Sequence, residues 1–270
     1  MSTPAETSAA RFERGLTVLD QVGGPNGRAV VESLADIAPD LGRYVVEFGY
    51  GDIYSRTGLT LPQRQIINVA ALTALGHAAP QLRWHIDGAL NVGVTPAEIV
   101  EIIVHTAIYA GFPAALNGLT VARAAFADRP EAGNPVSDSA VRPEETTEQR
   151  YRRGVAKLAE VDGDAADHIF AALADVAPDL GRYLIEFCFG DIYSRPGPDL
   201  RTRELATVAA CTVLGTAGPQ LRVHLHGLLN VGGTREEAVE TIIQMAGYGG
   251  FPAALNAIAA AREVFGERKD

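Results

Sequence analysis

Apolar residues recur along most of the chain at the three-to-four-residue spacing of a helix that buries one face. Beyond Thr95 they fall at Ile99, Ile102 and Ile103. Residues 95–98, TPAE, place a threonine at the N-cap, a proline at the first helical position and a glutamate at the third. This arrangement is a capping box, which begins helices. No alternating strand with a hairpin turn interrupts the pattern, so the chain is predicted to be all-α.

The helical pattern occurs twice. The segment APDLGRY begins at Ala38 and again at Ala177, an offset of 139 residues. At this offset Leu34 to Phe126 aligns with the second copy without a gap, and roughly 60% of positions are identical. A period of this length indicates a domain duplication, with two tandem helical modules related by a pseudo-two-fold axis.

The module boundaries are predicted from composition. Residues 128–147 are rich in proline, serine, threonine and acidic residues, with little to bury, which is typical of a linker. The first module is therefore predicted to span residues 1–127 and the second residues 148–270. Each is expected to contain about six or seven helices. Pro113 and Pro252 are expected to begin the last helix of their modules.

Charge and composition exclude several classes of protein. The 270 residues include 33 acidic and 23 basic side chains, for a net charge of −10. There is no run of Lys or Arg, so nucleic-acid binding is not expected. Neither a signal peptide nor an apolar stretch approaching the roughly 18 residues of a membrane span is apparent, so a cytoplasmic protein without membrane contact is expected.

The duplication provides an internal test for shared chemistry, because a group required in both modules should occur in both copies. Of six histidines only His85 and His224 correspond. Each is either a core histidine bonded to a backbone carbonyl or a general acid–base near neutral pH. The other four face different residues in the opposite copy: His77 faces Thr216, His105 faces Gln244, His226 faces Asp87, and His168 faces Ala29.

The sequence gives little evidence for a metal site or for a reactive cysteine pair. Glu101 and His105 are four residues apart on one helix face, a spacing that can bind metal, but Gln244 replaces the histidine in the other copy. No shared metal site is predicted. Neither Cys188 nor Cys211 has a cysteine counterpart, and no CxxC motif is present.

Charged residues kept in both copies cluster around the repeated segment GDIYSR. Arg56 and Arg195 are the last residues of this segment, and either bind a substrate carboxylate or form structural ion pairs. The acidic members kept in both copies are candidates for the same site: Glu47, Glu186, Asp52 and Asp191.

The segments GDIYSRPG, PQLRVHLHGLLNVGGT and GFPAALN, with their first-copy counterparts, resemble the carboxymuconolactone decarboxylase family over most of both modules. The resemblance implies the all-α fold shared with alkylhydroperoxidase D and a homo-oligomer, here a trimer forming a pseudo-hexameric ring. It further implies decarboxylation or a related proton transfer on a lactone or small unsaturated acid, without a cofactor. His85 and His224 would be the proton donors or the groups that polarise the carbonyl, with Arg56 and Arg195 near the pocket.

The chain departs from the family pattern at two places. Asp87 and His226 stand where the family has a basic residue two positions after the histidine, and GDIY replaces GEIW. The peroxidase branch needs a CxxC pair, which is replaced by Ala78 and Gln81 in the first copy. An antioxidant role is therefore disfavoured, and a non-catalytic assembly module is the other alternative to an enzyme.

Overall fold

A computed structural model describes residues 6–163 and 171–268. In these ranges every regular element is helical. The first module contains α1 (Ser8–Gly23), α2 (Ala29–Glu32), α3 (Pro39–Tyr44) continued by the π-helical segment π1 (Val45–Tyr54), α4 (Leu61–Leu75), α5 (Ala79–Asn91) and α6 (Pro96–Ala127). The second contains α7 (Thr147–Asp162), α8 (Pro178–Tyr183) continued by π2 (Leu184–Tyr193), α9 (Leu200–Leu214), α10 (Gly218–Asn230), α11 (Arg235–Met245) and α12 (Phe251–Glu267). The all-α prediction is confirmed.

The helices begin where their caps predict. The side chains of Thr60, Thr95 and Thr234 each form a complete capping box with the residue three positions on, and Asp199 accepts a hydrogen bond from the backbone N–H of Thr202. These caps fix the starts of the helices that carry the site residues.

A glycine with positive φ separates the last two helical segments of each module. Gly111 has φ 80° and Gly250 has φ 83°, a backbone conformation that disfavours side chains. In the first module this residue kinks α6, and in the second it separates α11 from α12. Pro113 and Pro252 follow in the first turn beyond the break, as predicted.

Two of the hydrophobic clusters contain buried residues from both modules. Helices α4 and α9 pack side by side, so Ile67 and Ala71 of the first module belong to the same buried cluster as Val208 of the second. Conversely, Ala206 of the second module lies in a cluster otherwise built from the first. Each module therefore buries part of its apolar surface only against the other.

One helix corrects an expectation from the sequence. Among the described residues, α6 is long and apolar enough by length and composition to cross a membrane, whereas no such stretch was predicted. The helix is broken at Gly111, and its Glu101 and His105 are buried against the second module. The apolar helix therefore packs inside the protein and holds Glu101 and His105 at the interface between the modules.

Candidate active sites

A cavity of about 530 Å³ lies at the junction of the modules and reaches His85. Segment π1 contributes Tyr50, Ile53 and Tyr54 to its lining, while the second module contributes Gln244 and Tyr248. The surrounding surface is mainly apolar and aromatic, and no Asp, Glu, Lys or Arg is among its described lining residues. We call this cavity, with the polar cluster around His85, the first site.

Hydrogen bonds in the first site assign the tautomer of His85. The Gln65 side-chain amide donates to the Tyr54 hydroxyl at 3.2 Å, which turns its Oε1 toward His85 Nδ1 at 2.9 Å. Nδ1 therefore carries the hydrogen, and Nε2 accepts from the Tyr248 hydroxyl at 3.0 Å. Asn68 Nδ2 lies 3.2 Å from Nδ1, but its two hydrogens point to the hydroxyls of Tyr54 and Tyr248.

The buried ion pair of Arg64 and Glu240 orients the side-chain amide of Asn68 through Gln244. Glu240 of α11 accepts from Arg64 of α4 at 3.0 Å, and Arg64 also donates to Gln244 Oε1 at 2.8 Å. The Gln244 amide then donates to Asn68 Oδ1 at 2.7 Å, which leaves the Asn68 nitrogen facing the two tyrosines. The polarity of the first site is thus set by residues from both modules.

Burial keeps the first site uncharged near neutral pH. Desolvation lowers the pKa of His85 to about 3 and raises the pKa of Tyr54 to about 12. The pKa of Tyr248 is raised well above its usual value, again mainly by burial. At pH 7 the ring is therefore a neutral acceptor and both phenols keep their hydrogens.

The equivalent cluster around His224, the second site, has a different chemical character. Glu204 replaces Gln65, and its Oε2 accepts from His224 Nδ1 at 2.8 Å. Its Oε1 accepts from the Tyr193 hydroxyl at 2.7 Å. Glu204 is completely buried, whereas 12% of the His224 side chain is exposed. A carboxylate therefore backs the histidine of the second site, and a neutral amide backs that of the first.

Tyr109 of α6 completes the second site as Tyr248 completes the first. Its hydroxyl donates to Tyr193 at 2.8 Å, because the Tyr193 hydrogen is directed to Glu204. The rings of Tyr109 and His224 stand edge to face, with centroids 5.1 Å apart. Among the described residues, no hydrogen-bond partner engages His224 Nε2, unlike the Tyr248 contact to His85.

The arginines predicted to bind substrate are engaged elsewhere. Arg56 pairs with Glu240 at 2.6 Å, and Arg195 pairs with Glu101 at 2.8 Å, in both cases across the module boundary. Arg56 is not part of the cavity lining. Of the two roles left open by the sequence, their positions favour the structural ion pair.

The acidic candidates also lie in ion pairs. Asp52 accepts from Arg11 at 2.9 Å, which attaches α1 to π1, and Glu47 accepts from Arg43 of α3 at 2.6 Å. In the second module Asp191 accepts from Arg150 at 2.8 Å, and Glu186 lies 3.4 Å from the same arginine. None of these four carboxylates lines the first-site cavity, so their predicted contact with substrate has no support there.

The remaining reactive groups have local partners or are buried. His105 donates from Nε2 to Thr207 at 2.8 Å, and Glu101 is occupied by its arginines, so this pair does not form a metal site. No group of three potential metal ligands occurs in the described ranges. Burial raises the pKa of both Cys188 and Cys211 to about 12, which disfavours thiolate chemistry. His168 lies outside the described residues.

Sequence reasoning missed the groups that contact the two histidines. Tyr54 and Tyr193 correspond, as do Tyr109 and Tyr248, and their identity in both copies was the available signal. Gln65 and Glu204 were missed because they differ between the copies. A comparison of the two copies identifies residues that both sites share, but it does not identify residues that differ between the sites.

A polar cluster buried between two helical modules, with an apolar cavity above it, defines an all-α protein built to hold a small molecule. The model of the carboxymuconolactone decarboxylase family matches residues 39–124 and again residues 178–263. The chain belongs to this family, as a tandem member with two family domains.

Individual relatives agree with this assignment. The 4-carboxymuconolactone decarboxylase of Acinetobacter baylyi is 34% identical over 119 residues, which cover 44% of this chain and 88% of the relative. Nitrosuccinic acid decarboxylase of Metarhizium robertsii is 31% identical over 90 residues, 33% of this chain and 62% of the relative.

A solved structure extends the fold comparison to the whole chain. The crystal structure of a Burkholderia xenovorans protein, assigned as a gamma-carboxymuconolactone decarboxylase subunit, superimposes with a TM-score of 0.58 and 20% sequence identity. The superposition covers 98% of this chain and 100% of that protein. At this identity the similarity supports the two-module fold alone.

Proposed function

We propose that this chain is a decarboxylase that acts in the first site on a small unsaturated carboxylic acid or a lactone acid. The observation that carries the proposal is the cavity itself: it reaches the buried His85 and Tyr54 and the half-buried Tyr248, and its described walls are uncharged. A non-catalytic assembly module would not need this cavity above a fixed polar cluster. The decarboxylase names of two relatives support the same class of reaction.

An uncharged apolar wall favours loss of CO₂. A carboxylate held against the aromatic wall near Trp84 is poorly solvated, and its charge disperses as the carbon–carbon bond breaks. The electron pair of that bond passes to the conjugated carbonyl of the substrate. Tyr54 is suited to bind that oxygen, because its own hydrogen has only a long contact of 3.4 Å, to Tyr248.

The proton that completes the reaction is assigned to Tyr248 rather than to a histidine cation. Burial lowers the pKa of His85 to about 3, so its ring is neutral at pH 7 and lacks the extra proton that a histidine donor would give. His85 instead accepts the Tyr248 hydrogen bond and orients that hydroxyl. As CO₂ leaves, the Tyr248 hydrogen turns from His85 Nε2 to the product carbon, and the Tyr248 oxygen then takes a proton from solvent. Each turnover therefore consumes one solvent proton.

The test is CO₂ release from a panel of β-oxo acids and unsaturated lactone acids, with benzoylacetate as the aromatic member. His85→Ala and Tyr248→Phe are expected to lower the rate about 10²–10⁴-fold, the range for a positioned proton-transfer group. His224→Ala and Tyr109→Phe are the matched controls and should lower it far less. Equal losses for first-site and second-site variants, or no release from any acid in the panel, would overturn the proposal.

We also propose that the chain forms a homotrimer, a ring of six modules. Large apolar side chains more than half exposed recur at equivalent positions of the two modules, as repeated contacts in a ring would require. They are Ile37 and Val176, Leu41 and Leu180, Tyr44 and Tyr183, Phe112 and Phe251, and Leu116 and Leu255. Light scattering should give three times the 28.5 kDa of one chain, and a monomer would refute the trimer. The cytoplasmic location remains a prediction.

A further inference from the structure

We propose that the second site is a separate general-base site, in which Glu204 holds His224 to move a proton between two carbons of an uncharged unsaturated lactone or ketone. This inference rests on the proposed function, since such a compound is what decarboxylation of an unsaturated lactone acid yields. The first site would release the molecule and the second would shift its double bond.

The carboxylate–histidine pair has the geometry of a base. Glu204 accepts the Nδ1 hydrogen of His224 at 2.8 Å and so fixes the tautomer in which Nε2 carries a lone pair. A carboxylate in this position also stabilises the imidazolium that forms when Nε2 takes up a proton. In the described structure Nε2 has no hydrogen-bond partner, whereas Nε2 of His85 is already bonded to Tyr248.

Among the described residues, Glu204 is the only Asp or Glu in contact with the His224 ring. From π2 the Tyr193 hydroxyl donates to Glu204, and from α6 Tyr109 contributes a second phenol. His105 of α6 lies beyond them, donating to Thr207. Burial raises the pKa of both tyrosines and lowers the pKa of His105, so all three are neutral at pH 7.

The charge of the second site determines the class of substrate. Glu204 is completely buried, and its second oxygen is occupied by Tyr193. A substrate carboxylate beside it would meet a like charge in a medium that screens poorly. An uncharged carbonyl compound meets no such repulsion. The first site, whose described lining carries no charge, has no such restriction.

The proton shift balances without a further reactant. His224 Nε2 removes a proton from the carbon next to the carbonyl, and the electron pair of that C–H bond enters a conjugated dienolate. Tyr109, beside the ring, is the hydroxyl placed to turn toward the dienolate oxygen. The proton then returns from His224 to the far end of the conjugated system, which restores the carbonyl and moves the double bond.

The experiment uses the full chain and α-angelica lactone, an uncharged β,γ-unsaturated lactone, in D₂O followed by ¹H NMR. Deuterium incorporation and conversion to the conjugated isomer are both recorded. Wild type should accelerate them above the buffer rate. His224→Ala and Glu204→Gln should lower the enzymatic rate about 10²–10⁴-fold. Glu204→Gln is a conservative test, because it introduces the side chain that Gln65 has at the equivalent place in the first site.

A gain of function separates the chemical role of Glu204 from a structural one. In the His224→Ala background, Gln65→Glu should restore part of the exchange at His85, which a purely structural carboxylate would not do. CO₂ release is measured on the same variants. His85→Ala should lower CO₂ release more than exchange, and Glu204→Gln should lower exchange more than CO₂ release.

Each failure has a distinct signature. Exchange no faster than buffer, or exchange that depends on His85 rather than His224, overturns the base assignment and leaves CO₂ release as a separate result. Exchange that depends on Glu204, without CO₂ release from any acid, overturns the decarboxylase proposal alone.

Discussion

Replacement of Glu101 by glutamine should destabilise the whole chain, because this carboxylate joins the two modules. Glu101 of α6 is fully buried and accepts from Arg195 at 2.8 Å and from Arg203 at 3.4 Å. Burial lowers the pKa of Arg203, with Glu101 acting in the opposite direction, so the guanidinium depends on this partner. Glu101→Gln would leave the cation of Arg203 buried without a counter-charge.

The expected loss in the free energy of unfolding is about 3 kcal/mol. Breaking a buried ion pair by removing one partner costs roughly 3–5 kcal/mol. The lower end applies, because the glutamine oxygen can still accept one hydrogen bond and Arg203 keeps the backbone carbonyls of Arg195 and Pro198 at 3.1 Å. Arg195 contributes less, since 20% of its side chain is exposed to water.

Urea unfolding at one fixed protein concentration measures this loss, as a lower midpoint with an unchanged slope. The matched control is Glu148→Gln, which breaks an ion pair of 2.7 Å whose partner Arg152 is 75% exposed. That control should cost less than about 0.5 kcal/mol. A Glu101→Gln variant within this margin of wild type would refute the assignment of the buried pair as a link between the modules.

Gly49→Leu should block substrate binding without loss of stability, because Gly49 lines the cavity and a Cβ added there meets no atom within 4 Å. Equal activity of Gly49→Leu and Gly49→Ala would contradict this. The free energy of unfolding of the wild type should fall as the pH drops from about 6.5 toward 3, because the unfolded chain protonates a histidine whose pKa in the folded chain is about 3. Compared with His85→Asn, the wild type should lose up to about 1.4 kcal/mol more for each pH unit. Parallel pH curves would exclude this linkage. Either module expressed alone should self-associate through its exposed α4 or α9 face, and a stable monomer in light scattering would show that the shared interior is not required.

Local sequence signals predicted much of the fold. Capping boxes at Thr95 and Thr234 define helix starts through contacts within four residues, so no knowledge of tertiary structure is needed. The repeat likewise identified His85 and His224 as equivalent. The π-helical form of Val45–Tyr54 was not predicted, because helical periodicity does not distinguish it from an α-helix.

The composition of each site could not be predicted in the same way. Tyr248 reaches His85 across 163 residues of sequence, and helix periodicity gives no information on such pairing. Arg56 and Arg195 were ambiguous because an arginine suits a substrate carboxylate and a protein carboxylate equally well. Their partners, Glu240 and Glu101, lie in the opposite module.

Decarboxylation in the first site can be tested with a crystal structure that contains an unreactive analogue of the acid, in which a nitro group replaces the carboxylate. The analogue should fill the first-site cavity, with its carbonyl oxygen within hydrogen-bond distance of the Tyr54 hydroxyl and its nitro group against the wall near Trp84. An analogue bound at saturation elsewhere in the protein, with the cavity at His85 unfilled, would contradict it.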